Sequence, residues 1–496
     1  MQPVLNVEDV RKVEQDLTLE GVSLAELMRR AGHAVAQEVL DLGNIGPVVV
    51  LCGTGNNGGD GVACARLLLE AGYEVRCLLV GSRDKLTPDT RAMEGKLSAA
   101  GGKLEPYDPA DPDQTAWVLG AHVLVDAIFG TGLNTEVRGE ALAAIETMNR
   151  SGVPVVSADI PSGVEADTGR VLGGAVRAAV TVTFTRAKAG HFVGKGGLCT
   201  GRLTVAPIGI PEDLYLEDDC KTMLVEQADV SLPRRPVDGH KGDFGKVFIL
   251  AGSRGYTGAA ALCARAAVRG GAGLVTVAVP EDVYPIVAVK CDEAMVWPWP
   301  GDDGELVEKA RGCDAVLIGP GLGQGERAER LVLTLMKELA CPVILDADGL
   351  NIISRHMDIL DERREWSTIL TPHDGEFARL SGCELPITDR LGTARSFALR
   401  HHCLLVLKGF RTIVSANGAC TINPTGNPGM AKGGSGDALA GLMAALLARR
   451  GKPDEAITAV WVHGRAGDLA AEDKGEYGMT PSDLIEQIPY AIKELF

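Results

Sequence analysis

A glycine-rich segment in the second half of the chain has the composition of a phosphate-binding turn. Consecutive glycines ahead of a helix leave backbone N–H groups open to phosphoryl oxygens. Asp437, which ends the segment, would lie where a substrate hydroxyl must lose its proton, so the pattern predicts phosphoryl transfer with Asp437 as general base. A structural alternative, in which Asp437 only caps the following helix, stays open at this point. The segment reads Ala431-Lys432-Gly433-Gly434-Ser435-Gly436-Asp437 and precedes a predicted helix at 438–448.

Three further polar segments in the same half follow predicted strands. Lys408 and Arg411 supply cationic donors, and His373 lies beside a proline and two acids, which favours a site role over a surface turn. The sequence contains no G-x-x-x-x-G-K-[ST] motif, which excludes a P-loop nucleotide site. The three segments are Gly319-Pro320-Gly321-Leu322-Gly323, Thr371-Pro372-His373-Asp374-Gly375-Glu376-Phe377 and Lys408-Gly409-Phe410-Arg411-Thr412.

The first half carries a glycine-rich turn of its own, directly after the predicted strand 48–51. The turn satisfies G-x-G-x-x-G, so ordinary dinucleotide binding is one interpretation. A nicotinamide site of that type expects an acid at the end of the next strand, where this chain has Leu78-Leu79-Val80. The polar residues of the turn are also denser than a phosphate turn requires. The segment reads Gly53-Thr54-Gly55-Asn56-Asn57-Gly58-Gly59-Asp60-Gly61.

Two acids lie at later strand ends in the first half. Carboxyl ends of strands in an open α/β sheet meet at the ligand crevice, so we expect Asp126 and Asp159 to lie near the glycine-rich turn. Their oxygens suit an alkali or alkaline-earth cation as well as hydroxyl groups. The alternative is that both acids only cap turns. The segments read Asp126-Ala127-Ile128-Phe129-Gly130-Thr131-Gly132 and Asp159-Ile160-Pro161-Ser162-Gly163.

Composition restricts the class of protein. The chain has 49 Lys and Arg against 66 Asp and Glu, a formal charge of −17 that argues against a nucleic-acid partner. Six charged residues between Glu8 and Asp16 leave no room for an uninterrupted apolar signal core, and no run of about 18 uncharged apolar residues occurs, so we expect a cytoplasmic protein without a membrane partner. The twelve cysteines form no C-x-x-C pair, which is typical of reduced, buried cysteines and does not indicate zinc.

The elements that must position these segments alternate between β-branched strands and Ala/Leu-rich helices. This pattern predicts an α/β protein of two doubly wound domains, residues 1–215 and 225–496, separated by an acidic and proline-rich linker. Predicted strands are 48–51, 75–80, 123–128, 153–158, 180–185, 203–208, 247–250, 274–279, 315–318, 343–345, 368–370 and 404–407. Predicted helices are 23–39, 61–69, 90–99, 142–148, 259–269 and 438–448.

The first-half segments resemble the epimerase domain of the NAD(P)H-hydrate repair family, which has a Rossmann-like three-layer fold. The resemblance rests on the segment Gly55 to Gly61 together with those that begin at Asp126 and Asp159. It implies that Asp159 lies at the reacting ring and that Asn57, Asp126 and Ser162 bind K⁺. It also implies a hydrated-dinucleotide site formed by Asn56, Asn57, Gly58, Gly59, Asp60, Gly130, Thr131, Gly132, Leu133, Asn134, Thr135, Glu136 and Asp159.

The second-half segments resemble the ribokinase-like superfamily and, more narrowly, its ADP-dependent NAD(P)H-hydrate dehydratases. The resemblance covers roughly residue 227 to the C-terminus and implies that Asp437 is the base. By this resemblance Ala259, Gly323, His373 and Asp437 face the hydrated cofactor. The adenine nucleotide, with Mg²⁺, would contact Lys408, Gly409, Phe410, Arg411, Thr412 and Gly436.

Taken together, the two resemblances imply a bifunctional repair of NADH or NADPH that has been hydrated at its nicotinamide ring. The first domain would interconvert the R and S epimers, NADHX and NADPHX, and the second would dehydrate the S form with ADP, which gives AMP and phosphate. Alternatives are a ribokinase-like small-molecule kinase fused to a regulatory dinucleotide-binding domain, or a first half that only senses the dinucleotide or binds a partner. The sequence leaves open ADP against ATP and NADHX against NADPHX; we expect a homo-oligomer.

Overall fold

The computed structural model describes residues 1–19, 22–43, 46–210, 220–299, 301–363, 367–450 and 452–496. The chain divides into two compact units, Pro3–Cys220 and Lys221–Phe496, and the second also includes Met1–Gln2. Both are α/β, as the sequence pattern predicts. Within the described parts of the chain, no helix is long and apolar enough to cross a membrane.

The first unit is built on a parallel sheet with helices on both faces. The sheet order is β4-β3-β2-β5-β6-β7-β8, and every pairing in it is parallel. Its elements are α1 (Val7–Leu19), α2 (Leu24–Asp41), β2 (Val48–Cys52), α3 (Asn56–Glu70), β3 (Val75–Leu79), α4 (Pro88–Ala99), β4 (Leu104–Pro106), α5 (Pro112–Gly120), β5 (Val123–Ala127), α6 (Gly139–Ser151), β6 (Val155–Ala158), β7 (Val180–Phe184) and β8 (Arg202–Ala206).

The central strand β2 shows why this sheet is covered on both faces. All five of its residues are buried. Val48 and Val50 pack in one apolar cluster, with residues of α2 and α3, whereas Val49 and Leu51 pack in another, with residues of α6. A strand without a polar face can be stable only between two layers of helices. The chain leaves β2 for β3 on one side and returns to β5 on the other, so the loops after β2 and β5 flank the crevice of the sheet.

The second unit contains a mixed sheet of order β1-β9-β18-β17-β16-β15-β14-β13-β10-β11-β12. Strands β12 to β16 run parallel with β10 and β11, and β17 and β18 form an antiparallel hairpin. The strands are β1 (Gln2–Pro3), β9 (Thr222–Leu224), β10 (Lys246–Leu250), β11 (Leu274–Val279), β12 (Met295–Pro298), β13 (Ala315–Ile318), β14 (Val343–Leu345), β15 (Thr368–Leu370), β16 (Leu404–Leu407), β17 (Ile413–Ala416) and β18 (Ala419–Ile422).

Helices of the second unit cover this sheet, and a helical core lies against it. The helix α15 carries an almost continuous series of buried apolar residues that pack with α7, α16 and α17. The helices are α7 (Thr257–Arg269), α8 (Tyr284–Lys290), α9 (Asp303–Arg311), α10 (Glu326–Glu338), α11 (Asp348–Ile353), α12 (Asp358–Asp361), α13 (Asp374–Ser381), α14 (Arg390–Arg400), α15 (Ser435–Arg450), α16 (Pro453–Lys474) and α17 (Pro481–Lys493).

Both glycine-rich segments differ from the prediction in the same way. The helices predicted at 61–69 and 438–448 begin earlier, at Asn56 and Ser435, so residues predicted as turns form the first helical turn. In the first unit, close packing requires this glycine content. A Cβ on Gly58 would lie 1.9 Å from the backbone oxygen of Gly53. The low helix propensity of glycine therefore led to the prediction of a longer loop, whereas packing against the rest of the unit favours the helix.

We predict that Gly58→Ala lowers the free energy of unfolding of the first unit, by about 1–3 kcal/mol, because a backbone atom cannot move aside as a flexible side chain would. The matched control is Gly95→Ala in α4, where a Cβ would meet nothing within 4 Å. That change should stabilise the unit by about 0.5–1 kcal/mol through helix propensity. Denaturant unfolding measures both. Equal effects of the two substitutions would contradict this packing analysis.

Candidate active sites

Asp126, at the end of β5, is the buried centre of the first site. Its carboxylate accepts hydrogen bonds from the Ser157 hydroxyl at 2.8 Å, the Ser162 N–H at 2.8 Å, the Ser162 hydroxyl at 2.5 Å and the Ile128 N–H at 3.3 Å. Burial raises the pKa of Asp126 despite these hydrogen bonds. The Ile128 bond agrees with the turn-capping alternative, but the bonds from two serines show that the carboxylate also organises the loop after β6.

Asn57, in the first turn of α3, has a buried side-chain amide whose oxygen and nitrogen have no hydrogen-bond partner among the described residues. The loop after β5 passes close by, since a Cβ on Gly130 would lie 3.2 Å from Cβ of Asn57. The neighbouring Phe129 donates its N–H to the Ser162 hydroxyl at 2.8 Å. The structure thus brings Asn57, Ser162 and Asp126 to one loop. An unpaired buried amide costs about 1–3 kcal/mol, which a bound group would offset.

Asp159 follows β6 in a left-handed backbone conformation, with φ of +66°. Its carbonyl oxygen lies 2.8 Å from Nε2 of His191, whose Nδ1 accepts the Lys188 N–H at 3.0 Å, so Nε2 carries the proton. Burial lowers the pKa of His191 to about 4, and the ring is neutral at pH 7. A non-glycine residue at positive φ is costly, and the neutral histidine is one of the contacts that hold it.

The carboxylate of Asp159 is paired with a buried lysine. Lys188 Nζ lies 2.6 Å from Oδ1 of Asp159, and the Thr183 hydroxyl donates to the same oxygen at 3.1 Å. Burial alone would raise the pKa of Asp159, but the charge of Lys188 and these hydrogen bonds hold it below the ordinary value. Asp159 is therefore ionised at neutral pH, whereas Asp126 has its pKa shifted upward.

The predicted dinucleotide residues do not all line one cavity. A cavity of about 80 Å³ is lined by Asn56, Asp60, Asp159 and Lys188 together with apolar residues of α1 and α2. Thr131, Gly132, Leu133 and Asn134 instead line a separate, larger cavity of about 710 Å³. A ligand that contacts both sets must extend between the two cavities. Gly58 and Gly59 are buried in α3, Thr135 is exposed, and Glu136 is exposed and paired with Arg138 at 2.7 Å.

Asp437 lies in the first turn of α15, two residues after the helix begins at Ser435, so it does not cap the helix. Burial raises the pKa of Asp437 to about 6, and the charge of Asp346 adds to the increase while Lys408 opposes it. Since α15 begins directly after Gly433 and Gly434, its first N–H groups can bind an anion. A carboxylate with this pKa is suited to act as a base near neutral pH.

Lys408, at the end of β16, is held among acids. Its Nζ lies 2.7 Å from Oδ1 of Asp346 and 4.0 Å from Oε2 of Glu376, and the Thr371 hydroxyl donates to Asp346 at 2.8 Å. Burial would lower the pKa of Lys408, but these acids hold it above the ordinary value. A Cβ on Gly436 would lie 3.3 Å from Lys408 Nζ. The glycine therefore leaves the ammonium open to a ligand at the helix start.

Two of the loops predicted to hold the hydrated cofactor in this unit meet, the one before α7 and the one at Gly321. Ser253 Oγ donates to the carbonyl of Gly321 at 2.7 Å, and a Cβ on Gly321 would lie 3.2 Å from Cβ of Ala259. Gly323 N–H donates to Asp348 at 2.8 Å. His373 is mostly exposed and caps α13, since its Nδ1 accepts from the N–H groups of residues 375 and 376 at 3.0 and 3.4 Å. A ligand contact of His373 stays a prediction.

The residues of the predicted nucleotide segment differ in their surroundings. Lys408 is paired with the Asp346 carboxylate, whereas Phe410 is half exposed. Arg411 has a left-handed backbone, with φ of +56°, and its guanidinium donates to the carbonyl of Pro424. Arg390 stabilises the segment by donating a hydrogen bond to the Lys408 carbonyl at 3.0 Å. Only the first of its residues therefore contacts the Asp346 and Glu376 carboxylates.

Two charged residues of these sites were missed by the sequence analysis. Asp346 follows β14 directly, and the signal used for Asp126, an acid at a strand end, could have found it. Lys188 lies four residues after β7, in a segment without glycine repeats or paired polar residues. Its partner Asp159 is 29 positions away, so no local pattern reveals the pair.

The fold and the two sites define a two-domain α/β enzyme, in which a Rossmann-like domain precedes a ribokinase-like domain. Residues 24–190 match the family model described as YjeF-related protein N-terminus, and residues 247–490 match that described as NAD(P)H-hydrate dehydratase. A ribokinase-like superfamily protein of Enterococcus faecalis is 29% identical with a TM-score of 0.51, over 57% of this chain and 99% of that structure.

Two relatives match both halves of the chain. The bifunctional NAD(P)H-hydrate repair enzyme of Moorella thermoacetica is 40% identical over 90% of this chain and 88% of that protein. That of Escherichia coli K12 is 37% identical over 97% of this chain and 92% of that protein. The chain belongs to the family of bifunctional NAD(P)H-hydrate repair enzymes. This confirms both resemblances drawn from the sequence.

We predict that Asp437→Asn stabilises the second unit at pH 7. A carboxyl whose folded pKa is about 6 and whose ordinary value is 3.8 contributes stability below pH 4 that is lost as pH rises through 6. Asparagine removes this loss, a gain of at most about 3 kcal/mol at pH 7 that vanishes near pH 4. Denaturant unfolding across this range measures it, with the exposed Asp358→Asn as control. A pH-independent difference would show that the raised pKa of Asp437 is not its cause.

Proposed function

We propose that residues 1–215 interconvert the R and S forms of hydrated NADH and NADPH, and that residues 225–496 dehydrate the S form with ADP. The observation that carries the proposal is the charge cluster at the start of α15, where the half-buried carboxylate of Asp437 lies close enough to Asp346 and Lys408 for their charges to influence its pKa. Membership of the repair-enzyme family supports it. The substrates are therefore NADHX, NADPHX and ADP, and we propose that the chain acts in the cytoplasm as a homo-oligomer.

For epimerisation, we propose that Asp159 acts on the hydroxyl of the hydrated ring. The hydroxyl-bearing carbon is bonded to the ring nitrogen. Asp159 accepts the hydroxyl proton, the C–O bond becomes C=O, and the C–N bond breaks with its electron pair moving to the nitrogen. Closure on the opposite face of the carbonyl reverses each step and returns the proton. The ionised state of Asp159 supports a base role. Asn56 and Asp60 line the same cavity, and we propose that they orient the substrate.

For dehydration, hydroxide is a poor leaving group and must first become a phosphate ester. Asp437 takes the proton of the ring hydroxyl, whose oxygen attacks the β-phosphorus of ADP while AMP leaves. The ring nitrogen then pushes out phosphate and a proton is lost from the neighbouring carbon, which restores the dihydropyridine. Lys408 and the first N–H groups of α15 lie where they can stabilise the phosphoryl charge. The remaining residues of the predicted nucleotide set are Gly409, Phe410, Arg411, Thr412 and Gly436.

We propose K⁺ in the first site, and the residues fit it. The unpaired buried amide oxygen of Asn57, the carboxylate of Asp126 and the hydroxyl of Ser162 are hard oxygen donors near one loop. A bound K⁺ would supply positive charge that fixes this loop and attracts the substrate phosphates. In the second site we propose Mg²⁺ with ADP, where it would neutralise phosphoryl charge; the carboxylates of Asp346 and Glu376 are oxygen donors of the kind that it prefers.

We predict that two variants lose different parts of the NADH recovery when each is incubated with ADP and a mixture of both epimers. Asp437→Asn should return NADH from neither epimer, with a rate lowered ~10²–10⁴-fold because the base is removed. Asp159→Ala should recover the S form and then stop. The measurement is reduced-nicotinamide absorbance, with chromatography of the epimers. Accumulation of a phosphorylated product without recovered NADH would favour the small-molecule kinase alternative instead.

We also predict the direction in which the pH profile of dehydration moves in Asp346→Asn. The wild-type rate should fall as pH decreases through about 6, because Asp437 becomes protonated. Removal of the Asp346 charge lowers the pKa of Asp437. Lys408, which also lowers that pKa, is no longer paired with Asp346. Both effects shift the fall in rate to lower pH. The exposed Asp358→Asn should leave the profile unchanged. A shift to higher pH would show that another group titrates.

A further inference from the structure

Lys188 is among the most deeply buried charged groups of the first unit, with 1% of the residue exposed. Its ammonium uses its three donors within 3.2 Å, on Oδ1 of Asp159, the hydroxyl of Thr183 and the carbonyl of Phe184. A buried ammonium costs several kcal/mol unless it is paired. The segment that carries it lies outside every residue set that the family resemblance assigns to the site.

All the hydrogen bonds to the Asp159 carboxylate that come from described residues reach the same oxygen. Lys188 and Thr183 both bind Oδ1. Oδ2 receives no hydrogen bond from the described residues, although the side chain is 12% exposed and lines the cavity that Asn56 and Asp60 also line. One oxygen is thus fixed by protein, and the other is left for a ligand in the cavity.

We propose that Lys188 is a positioning residue for epimerisation, which holds Asp159 ionised and turned so that Oδ2 meets the hydroxyl of the hydrated ring. This inference rests on the proposed function and adds a residue to it. During the reaction Asp159 gains the hydroxyl proton on Oδ2 while Lys188 remains bound to Oδ1. Lys188 neither forms nor breaks a covalent bond and acts only through Asp159.

The charges that face Asp159 support this assignment. Lys188 provides the positive charge, His191 is neutral because burial lowers its pKa to about 4, and Asp60 lines the same cavity with a carboxylate. Thr183 is uncharged and contributes one hydrogen bond. Burial would raise the pKa of Asp159, and the charge of Lys188 is the largest influence against it. Loss of that charge must therefore favour the protonated carboxyl, which cannot accept the substrate proton.

The test is the pH profile of R-to-S epimerisation in Lys188→Met, corrected for the spontaneous rate. We expect kcat at pH 7 to fall at least tenfold and its loss at low pH to begin at a higher pH than in wild type, with a smaller change in KM. Lys188→Arg keeps the charge and should keep the wild-type pH of that loss. Thr183→Val removes an Oδ1 donor without a charge, so it should lower kcat less and shift the profile less. Epimers are separated by chromatography after each time point.

Dehydration of pure S substrate by the same variants is the control for the second unit and should equal wild type, and denaturant unfolding of the first unit is the control for its folding. A wild-type kcat and pH profile in Lys188→Met would overturn the inference. If Lys188→Met does not fold, the other two variants decide. The inference would be overturned if Lys188→Arg lost epimerase activity at a higher pH than wild type. It would also be overturned if Thr183→Val had the same kcat as wild type. Absence of epimerisation by the wild-type chain would instead reject the proposed function of the first domain.

Discussion

The structure depends on the placement of carboxylates inside apolar sheets at the ends of strands. A buried charge costs several kcal/mol unless partners compensate for it, and three such acids have different partners. Asp126 is compensated by hydroxyl and N–H donors, Asp159 by Lys188 and Asp346 by Lys408. Each partner comes from a different element, so the charge is stable only when the sheet has assembled. The same contacts that make the fold tolerate these acids also fix the orientation and ionisation of the sites.

This compensation has opposite results at the two proposed bases. The pKa of Asp159 is lowered because a buried ammonium binds it directly, whereas the pKa of Asp437 is raised because burial and the Asp346 charge outweigh Lys408. Environments that separate pKa values in this way are how one chain supports different acid and base roles. In the proposed mechanism Asp159 must be ionised to open a ring at neutral pH. Asp437 would take its proton beside a phosphoryl group, where a base with a pKa near the working pH is most effective.

Much of this arrangement could be predicted from the sequence, because its signals are local. Polar and glycine-rich segments directly follow apolar strands, and a parallel sheet necessarily brings such strand ends together. The α/β class and the parallel strands β2, β3, β5 to β8, β10, β11 and β13 to β16 were predicted correctly for that reason, whereas the hairpin strands β17 and β18 were not predicted. The early start of α3 and of α15 was not predicted, because helix propensity counts glycines against a helix. At Gly58 the close approach of the Gly53 backbone requires a glycine inside the helix. Short edge strands such as β4 and β12 give too weak a pattern to detect.

Contacts between residues far apart in the sequence could not be predicted. Lys188 and Asp159 lie 29 positions apart and Lys408 and Asp346 lie 62 apart, so their contact exists only through the order of strands in the sheet. Likewise, the split of the predicted dinucleotide residues between two cavities follows from how α1 and the loops after β5 and β6 pack. Composition and spacing carry no information about these distances.

Two separate carboxylates are proposed to act on the same hydroxyl of the same damaged coenzyme. The most direct measurement is a crystal structure of the full chain with the hydrated dinucleotide and a non-transferable ADP analogue. We expect the ring hydroxyl within hydrogen-bond distance of Oδ2 of Asp159 in the first site, and of the Asp437 carboxylate in the second. A hydrated ring bound away from both carboxylates, with the cavity at Asp159 and the space beside Asp437 empty, would contradict it.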